Sequence, residues 1–202
     1  MKTLAPFLLL PLLGGCISFG AKPPPSLLTL SADTAIAVGE TRTSQSASSI
    51  TVQVPVAAQE LSVTRVPVRS NDTSVAYLKD AQWVEVPTRL FARLLTDTIA
   101  AQTGRVVLTP RQSLADPGAR LGGELRNFGI DGATNEAVVT YDATLIRERP
   151  VAAAGTRPQL NYERRRFETR VPVAEITPAA AGTALNAAAN QVAKDVADWV
   201  GR

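Results

Sequence analysis

Residues 74–108 read SVAYLKDAQWVEVPTRLFARLLTDTIAAQTGRVVL, and this stretch decides the fold of the chain. Val75 and Tyr77, with their neighbours, predict a short strand of β-branched and aromatic residues. The next four residues, 79–82, predict a turn. Trp83 follows directly, and we expect its large aromatic side chain to fill the joint between the strand and the next element. Tyr77 and Trp83 are therefore expected to be structural residues.

The second part of this stretch predicts a helix and then a new strand. Pro87 stands where the first helical residue should be, because its missing N–H is one that a helix start leaves unpaired anyway. Apolar side chains then recur at three- and four-residue spacing and define one stripe (Leu90, Phe91, Leu94, Leu95 and Ile99). Gly104 predicts a left-handed cap, after which residues 105–108 begin a strand. A helix with a single apolar stripe must bury it, so we expect this helix, with Pro87 as a structural residue, to pack on a sheet.

The rest of the pattern predicts one α+β domain over residues 26–202, with a largely antiparallel sheet covered by two helices. Apolar and alternating runs predict further strands at 26–30, 50–56, 61–68, 119–130, 139–145 and 160–173. The second helix should begin at Thr177 and Pro178, which are a favourable N-cap and first helical residue. Its alanines should let it approach the sheet closely.

Some of these segments carry more detailed expectations. The run from Ile50 to Val56 alternates, which places its four apolar β-branched residues on one face. Pro67 predicts an edge or a bulge in its strand, and a change of apolar parity predicts a bulge near Asn127. Residues 31–49 are mostly small and polar and predict a mobile loop, whereas residues 131–135 predict a hairpin loop.

Composition narrows the class of protein. The chain has 202 residues and a formal net charge of +3, which is too weak and too scattered for the basic stripe that nucleic-acid binding requires. It contains no histidine, which removes the commonest general base and the commonest metal ligand. We therefore expect a protein that is not an enzyme and that uses no cofactor or metal.

The N-terminus predicts a lipoprotein leader. The apolar run at residues 4–13 is too short to span a bilayer, so residues 1–15 are interpreted as a signal peptide. Small residues stand directly before Cys16, the only cysteine, as in a bacterial lipobox, which predicts that Cys16 is lipidated. An ordinary secretory signal is the alternative. Residues 16–25 would be the tether, and Ile17 in place of an aspartate favours the periplasmic side of the outer membrane.

The order of these features is similar to that of the ABC-type transport auxiliary lipoprotein family, periplasmic lipoproteins of the kind found with the paraquat-inducible (Pqi) transport operon. The resemblance is carried by the lipobox, the Leu-rich run at 27–30, the alanine-rich C-terminal helix, and a central set of residues (Tyr77, Leu78, Trp83, Pro87, Leu90, Leu94 and Val106). The first strand, SLLTL, lacks the tyrosine that is often found there.

This resemblance implies an auxiliary role in MCE/ABC-type lipid transport between the inner and outer membranes. The implied partners are an MCE-domain protein and its ABC permease and ATPase, with the membrane contacted through the lipid anchor. A free-standing structural or assembly lipoprotein of the outer membrane is the alternative function.

The sharpest charge feature is a group of arginines on the last predicted strand (Arg164, Arg165, Arg166 and Arg170). Guanidinium groups bind carboxylates and phosphates bidentately, so these residues are candidates for docking on an acidic partner or on phospholipid. The alternative interpretation is a solvated edge strand, whose charges discourage pairing with a strand of another molecule.

Overall fold

The computed structural model describes residues 24, 26–43, 48–114, 118–149 and 159–202. They form a single α+β domain, as predicted, with one eight-stranded sheet and two helices. The strands are β1 (Ser49–Val52), β2 (Val56–Ala57), β3 (Arg65–Asn71), β4 (Ser74–Gln82), β5 (Val106–Leu108), β6 (Ala119–Asp131), β7 (Glu136–Arg149) and β8 (Gln159–Pro172). The helices are α1 (Pro87–Thr103) and α2 (Pro178–Gly201).

The central strand of the sheet is β6, which joins an antiparallel half to a half in which its neighbours run parallel to it. On one side β6, β7 and β8 form long antiparallel ladders. On the other side β1, β2 and β3 pair in turn along β6, all parallel to it, and β4 and β5 complete that half. The sheet is therefore mixed, with the predicted antiparallel character in its longest ladders. Within the described chain β8 pairs only with β7, which makes it an edge strand.

The change of apolar parity in β6 is resolved by a bulge, as predicted. The register with β7 shifts between Leu125 and Asn127, so Arg126 is the extra residue. The shift keeps apolar residues on both sides of the bulge on the buried face (Leu121, Leu125, Phe128 and Ile130). The predicted hairpin turn follows and joins β6 to β7, with Asn135 in the left-handed region at a φ of 54°.

The helix α1 begins and ends where the sequence predicts, and α2 begins where it predicts. Pro87 is the first residue of α1, and Gly104 caps it at a φ of 68°. The side-chain oxygen of Thr177 accepts a hydrogen bond from the amide of Ala180 at 3.3 Å and so caps α2. The helices pack on each other, and α2 also packs on β7 and β8. The buried side of α2 consists largely of alanines (Ala181, Ala184, Ala188, Ala189, Ala193 and Ala197), which permit this close approach.

The C-termini of the two helices lie together at one end of the domain. A Cβ placed on Gly201 would be 3.5 Å from the methyl group of Thr103. Arg147 of β7 donates a hydrogen bond to the Val200 carbonyl at 3.0 Å, so the end of β7 lies there too. Near the other end of α2, a Cβ on Gly182 would be 2.7 Å from Leu28. The N-terminal segment and the end of β7 are therefore separated by most of the length of α2.

The prediction that residues 50–56 form one alternating strand with its apolar residues on one face is only half correct. The strand β1 ends at Val52, and the chain pairs with the sheet again only in β2. Ile50 and Val52 are buried, but Val54 and Val56 are 55% and 69% exposed. Pro55 separates the two strands, because it has no N–H to donate to a ladder.

The predicted turn at residues 79–82 is wrong, because β4 continues through these residues. The chain bulges there instead of turning: five residue steps of β4, from Tyr77 to Gln82, span only two steps of β3. Asp80 adopts a φ of 56° within this bulge. Pro67 lies at the same irregularity, so the predicted bulge is confirmed, but β3 is flanked by β4 and β6 and is not an edge strand.

The segment formed by residues 26–43, named here the strap, crosses the outside of the helices. The predicted strand at 26–30 is wrong, because within it only Leu28 forms a β-bridge, to Trp83. The amide of Leu28 donates to the Gln82 carbonyl at 2.7 Å, and its carbonyl accepts from the Val84 amide at 2.9 Å. Leu30 and Ala32, which follow along the strap, pack against the buried core instead of extending the sheet, whereas Ile36 and Val38 are exposed.

Hydrogen bonds from α2 fasten the strap. Asn186 accepts from the amide of Ser31 at 2.9 Å. Asn190, which is 2% exposed, accepts from the amide of Asp33 and donates to the carbonyl of Ser31, both at 2.9 Å. The predicted loop therefore has no regular secondary structure between residues 31 and 43, but it is bound to the helix, and β1 begins before its predicted end.

Candidate docking face

Strand alternation divides the predicted arginine cluster between the two faces of β8. Phe167 is 5% exposed beneath the helices, and Arg165 shares its face, with the guanidinium carbon 5.0 Å from the Phe167 ring. Arg164, Arg166 and Arg170 lie on the other face, which we name the open face: the side of β6, β7 and β8 that faces away from both helices. A partner lying flat on either face therefore cannot contact all four arginines.

On the open face, Arg166 is held by Asp142 of the neighbouring strand. Its Nε and Nη2 donate to the two carboxylate oxygens at 2.6 and 2.7 Å, in the bidentate geometry that is strongest for such a pair. Nη1 of Arg126, the bulge residue, lies 3.6 Å from Oδ2 of Asp142 and 3.3 Å from Oε2 of Glu124. The hydrogen bond from Arg166 holds the pKa of Asp142 below its ordinary value. The charge of Arg166 is thus already matched within the sheet.

Arg170 is the centre of a second ion-paired group, beside the β6–β7 hairpin. It donates to Glu168 at 2.9 Å, to Glu136 at 3.2 Å and to Asp131 at 3.4 Å. The hydroxyl of Thr140, which is 2% exposed, also donates to Glu168, at 2.9 Å. The hydrogen bond from Arg170 lowers the pKa of Glu168. Three carboxylates around one guanidinium leave this end of the open face acidic.

The turn itself keeps Asp131 ionised. Burial alone would raise the pKa of Asp131, but hydrogen bonds from the amides of Ala133 and Thr134, at 3.0 and 3.3 Å, and from Arg170 outweigh burial and lower that pKa. The aspartate therefore stabilises the hairpin turn and holds Arg170 with the same carboxylate.

Among the four predicted docking arginines, Arg164 is the one on the open face that stays available. It is exposed, lies opposite Thr144 of β7, and forms no ion pair with any residue in the described ranges. The nearby carboxylate of Asp142 is occupied by Arg166. A shallow depression of about 290 Å³ lies beside these side chains at the strand edge. Arg164 can accordingly bind a carboxylate or phosphate of another molecule.

A cleft of about 450 Å³ lies where β3 meets β6, at the acidic end of the open face. Charged side chains of both signs line it (Glu60, Arg69, Asp72, Glu124, Arg126 and Asp131). Arg69 binds Glu60, and Arg126 binds Glu124. Since both arginines already have carboxylate partners, the cleft has little net attraction for an anionic ligand.

Of the three residues predicted to be structural, Trp83 and Pro87 lie at the start of α1, whereas Tyr77 lies on β4 opposite Pro67 of β3. Trp83 has no exposed surface and packs edge-on against Phe128, with ring centroids 5.4 Å apart. Pro87 is buried in the first turn of α1. Tyr77 is half-buried, and the guanidinium carbon of Arg65 lies 3.9 Å from its ring centre.

The predicted lipidation site, Cys16, lies outside the described residues. Within the described ranges, no helix is long and apolar enough to cross a membrane. The same part of the chain contains no group of three or more aspartate, glutamate, histidine or cysteine residues that could hold a metal ion.

The sequence pattern does not identify two residues that shape these surfaces. The pairing of Asp142 with Arg166 depends on the β7–β8 register, which no local motif specifies. Asn190 fastens the strap over a distance of more than 150 residues. Its signal is a polar amide inside the otherwise apolar stripe of α2, a position where a buried side chain needs a hydrogen-bond partner.

The fold and the open face define a class of protein: a small α+β module with a helix-covered side and a polar, ion-paired side suited to recognition. The chain belongs to the family described as ABC-type transport auxiliary lipoprotein component, whose family model matches residues 29–197. The match covers the strap, the sheet and most of α2, and it confirms the resemblance drawn from the sequence.

Two solved structures share the fold. A crystal structure of a Xanthomonas campestris protein, described as belonging to the DUF330 family, has a TM-score of 0.66 at 17% identity, covering 87% of this chain and 94% of that one. A crystal structure of an uncharacterized protein has a TM-score of 0.62 at 12% identity, covering 76% of this chain and 92% of that one. At such low identity these likenesses support the fold alone. A search of the curated proteins gives no match.

Proposed function

We propose that this protein is a lipid-anchored, non-enzymatic auxiliary component of an MCE/ABC-type lipid transport system. In this proposal Cys16 carries the anchor on the periplasmic side of the outer membrane. The folded domain docks an MCE-domain protein that works with an ABC permease and ATPase. Membership of a transport auxiliary lipoprotein family supports the transport-associated part of the proposal.

The observation that carries the docking part is the state of the arginines on the open face. Arg166 and Arg170 are fixed by carboxylates of their own sheet, while Arg164 beside them is exposed and free of ion pairs within the described chain. Fixed neighbours form a preorganised polar surface, and a free guanidinium on it can form charge-assisted bonds with an acidic surface. An acidic region of the MCE-domain protein is the proposed occupant.

The experiment compares two arginines that are adjacent in sequence but lie on opposite faces. The full-length lipoprotein is expressed with its MCE-domain partner, solubilised, and captured at increasing salt concentration. We expect Arg164→Gln to reduce co-purification of the partner and to weaken its salt dependence, because a rim charge contributes mainly through electrostatic attraction. Arg165→Gln, on the helix-covered face, is the matched control and should behave like the wild type.

Other outcomes contradict the proposal in distinct ways. Equal losses in both variants would place the partner at the edge of β8 instead of on the open face. If neither variant changes co-purification, the arginines serve solubility and the docking surface lies elsewhere. Loss of binding to anionic vesicles, with partner capture unchanged, would assign Arg164 to phospholipid headgroups.

A further inference from the structure

Exposed apolar side chains gather at the corner of the domain where the strap begins. Leu27 and Val84 are each 48% exposed, and Val54 is 55% exposed. Val84 is adjacent to the strap, because its amide donates to the carbonyl of Leu28, the residue after Leu27, at 2.9 Å. These three side chains, which the core does not use, are named here the proximal corner.

The start of α1 adds positive charge beside the proximal corner. Val54 lines a shallow groove of about 260 Å³ together with Glu85, Arg89 and Arg93. Arg93 is bound by Glu85, whereas Arg89 is exposed and has no ion pair with any described residue. Apolar side chains next to a free arginine suit a membrane surface, where the apolar groups enter the acyl boundary and the guanidinium remains with the headgroup phosphates.

The length of chain between Cys16 and the domain limits how far this corner can lie from the membrane. Eight residue steps separate Cys16 from Pro24, the first described residue. Fully extended, they reach at most about 29 Å, at roughly 3.6 Å per residue. A domain of roughly 180 residues has a radius of gyration of about 16 Å, so its width exceeds that reach. An anchor at Cys16 would therefore hold the proximal corner near the bilayer.

We propose that the proximal corner rests on the membrane surface, with Leu27, Val54 and Val84 at the acyl boundary and Arg89 bound to an anionic phospholipid headgroup. This inference rests on the proposed lipidation of Cys16. The short tether makes the contact intramolecular, at an effective concentration in the millimolar range, so even a weak contact is populated. The contact would orient the domain, with the far end of α2 directed away from the membrane.

The test uses the cysteine content of the chain. Cys16 is the only cysteine, so in the acylated protein an introduced cysteine is the single site for a thiol-reactive fluorophore. The full-length lipoprotein carrying Val84→Cys is labelled and reconstituted in phosphatidylethanolamine–phosphatidylglycerol vesicles, with and without a quencher on the lipid headgroups. The matched control is Leu160→Cys, which is 41% exposed on β8, beside the end of β7 that contacts Val200 of α2.

We expect the Val84→Cys label to lose most of its fluorescence to the lipid-bound quencher and the Leu160→Cys label to lose little. Adding Arg89→Gln should reduce the quenching at Val84→Cys. Equal quenching at the two sites would overturn the inference. A Val84→Cys label that is shielded only when a partner protein is present would also overturn it. If the wild-type chain fails to float with vesicles and Cys16 is unmodified by mass spectrometry, the proposed anchor itself is wrong. Flotation without quenching contradicts only the membrane contact.

Discussion

Arg166 and Asp142 are joined across adjacent strands by two hydrogen bonds, with Nε–Oδ1 and Nη2–Oδ2 distances of 2.6 and 2.7 Å. Arg166, the central residue of the predicted docking group, is therefore already bound to a carboxylate of its own sheet. This ion pair supports a structural role for that charge on the edge strand β8, where charged side chains also discourage pairing with strands of other molecules. Docking, in consequence, is assigned mainly to Arg164.

The lowered pKa values of Asp142 and Glu168 predict that stability falls in acid. A carboxylate with a lowered folded-state pKa stabilises the fold above its ordinary pKa and loses that contribution as the pH falls through the folded value. We expect the melting temperature to decrease below about pH 4, where unperturbed carboxylates are about half protonated. In thermal melts across this range, the melting temperature of an Asp142→Asn, Glu168→Gln double variant should decrease less with falling pH than that of the wild type. The melting temperature of Glu175→Gln should decrease as much as that of the wild type. An unchanged decline in the double variant would show that other carboxylates dominate.

Trp83 is predicted to contribute stability through burial. Removing a buried aromatic side chain typically costs about 3–5 kcal/mol, so Trp83→Ala should lower the melting temperature strongly. Val84→Ala is the matched control, since Val84 is 48% exposed and adjacent in sequence. Denaturant and thermal unfolding measure both variants. Wild-type stability combined with loss of partner binding would instead make Trp83 an interface residue.

The strap is predicted to loosen when Asn190 is removed. Asn190→Ala removes the partner of the Ser31 carbonyl and the Asp33 amide; both residues are exposed, so water can replace it, and the net loss is about 0.5–1.5 kcal/mol per hydrogen bond. Hydrogen exchange within the described part of the strap should therefore accelerate, while exchange in β6 and β7 changes less. Gln191→Ala, whose amide binds Asp195 on the exposed side of α2, should leave the strap unchanged. Equal exchange in both variants would show that apolar packing alone holds the strap.

Lipidation of Cys16 predicts the location of the whole protein. Cys16→Ser removes the thiol that would carry the acyl chains, so the variant should appear in the soluble periplasmic fraction. Fractionation and intact mass spectrometry of the mature protein test this, with Ser18→Ala as a neighbouring control that should stay in the membrane fraction. Membrane association that persists in Cys16→Ser, with an unmodified thiol in the wild type, would contradict the anchor.

Local chemistry predicted much of the fold. Pro87, Gly104 and Thr177 act within one helical turn of their own positions, so the helix boundaries follow from short-range rules. The parity change that predicted the bulge near Asn127 is also a property of a single strand. The turn prediction at residues 79–82 failed because Tyr77 and Gln82 both pair with β3, so the chain between them bulges within β4 instead of turning.

The candidate site was predicted in part. Strand alternation alone separates Arg165 from Arg164 and Arg166, once β8 is known to be a strand. The partner of each arginine could not be predicted. Asp142 and Arg166 are 24 residues apart in sequence, and they meet only because of the register between β7 and β8. Which arginine is free therefore follows from pairing in space.

The sequence by itself determined the α+β class, the helix caps, the strand bulge and the family resemblance, because each depends on neighbours along the chain or on the order of motifs. Only the tertiary structure decided that Val54 and Val56 are exposed, that the strap is fastened by Asn190, and that Arg164 is unpaired. Those features depend on which distant segments meet. An alternating apolar pattern shows that side chains share a face, but only packing decides whether another element covers that face.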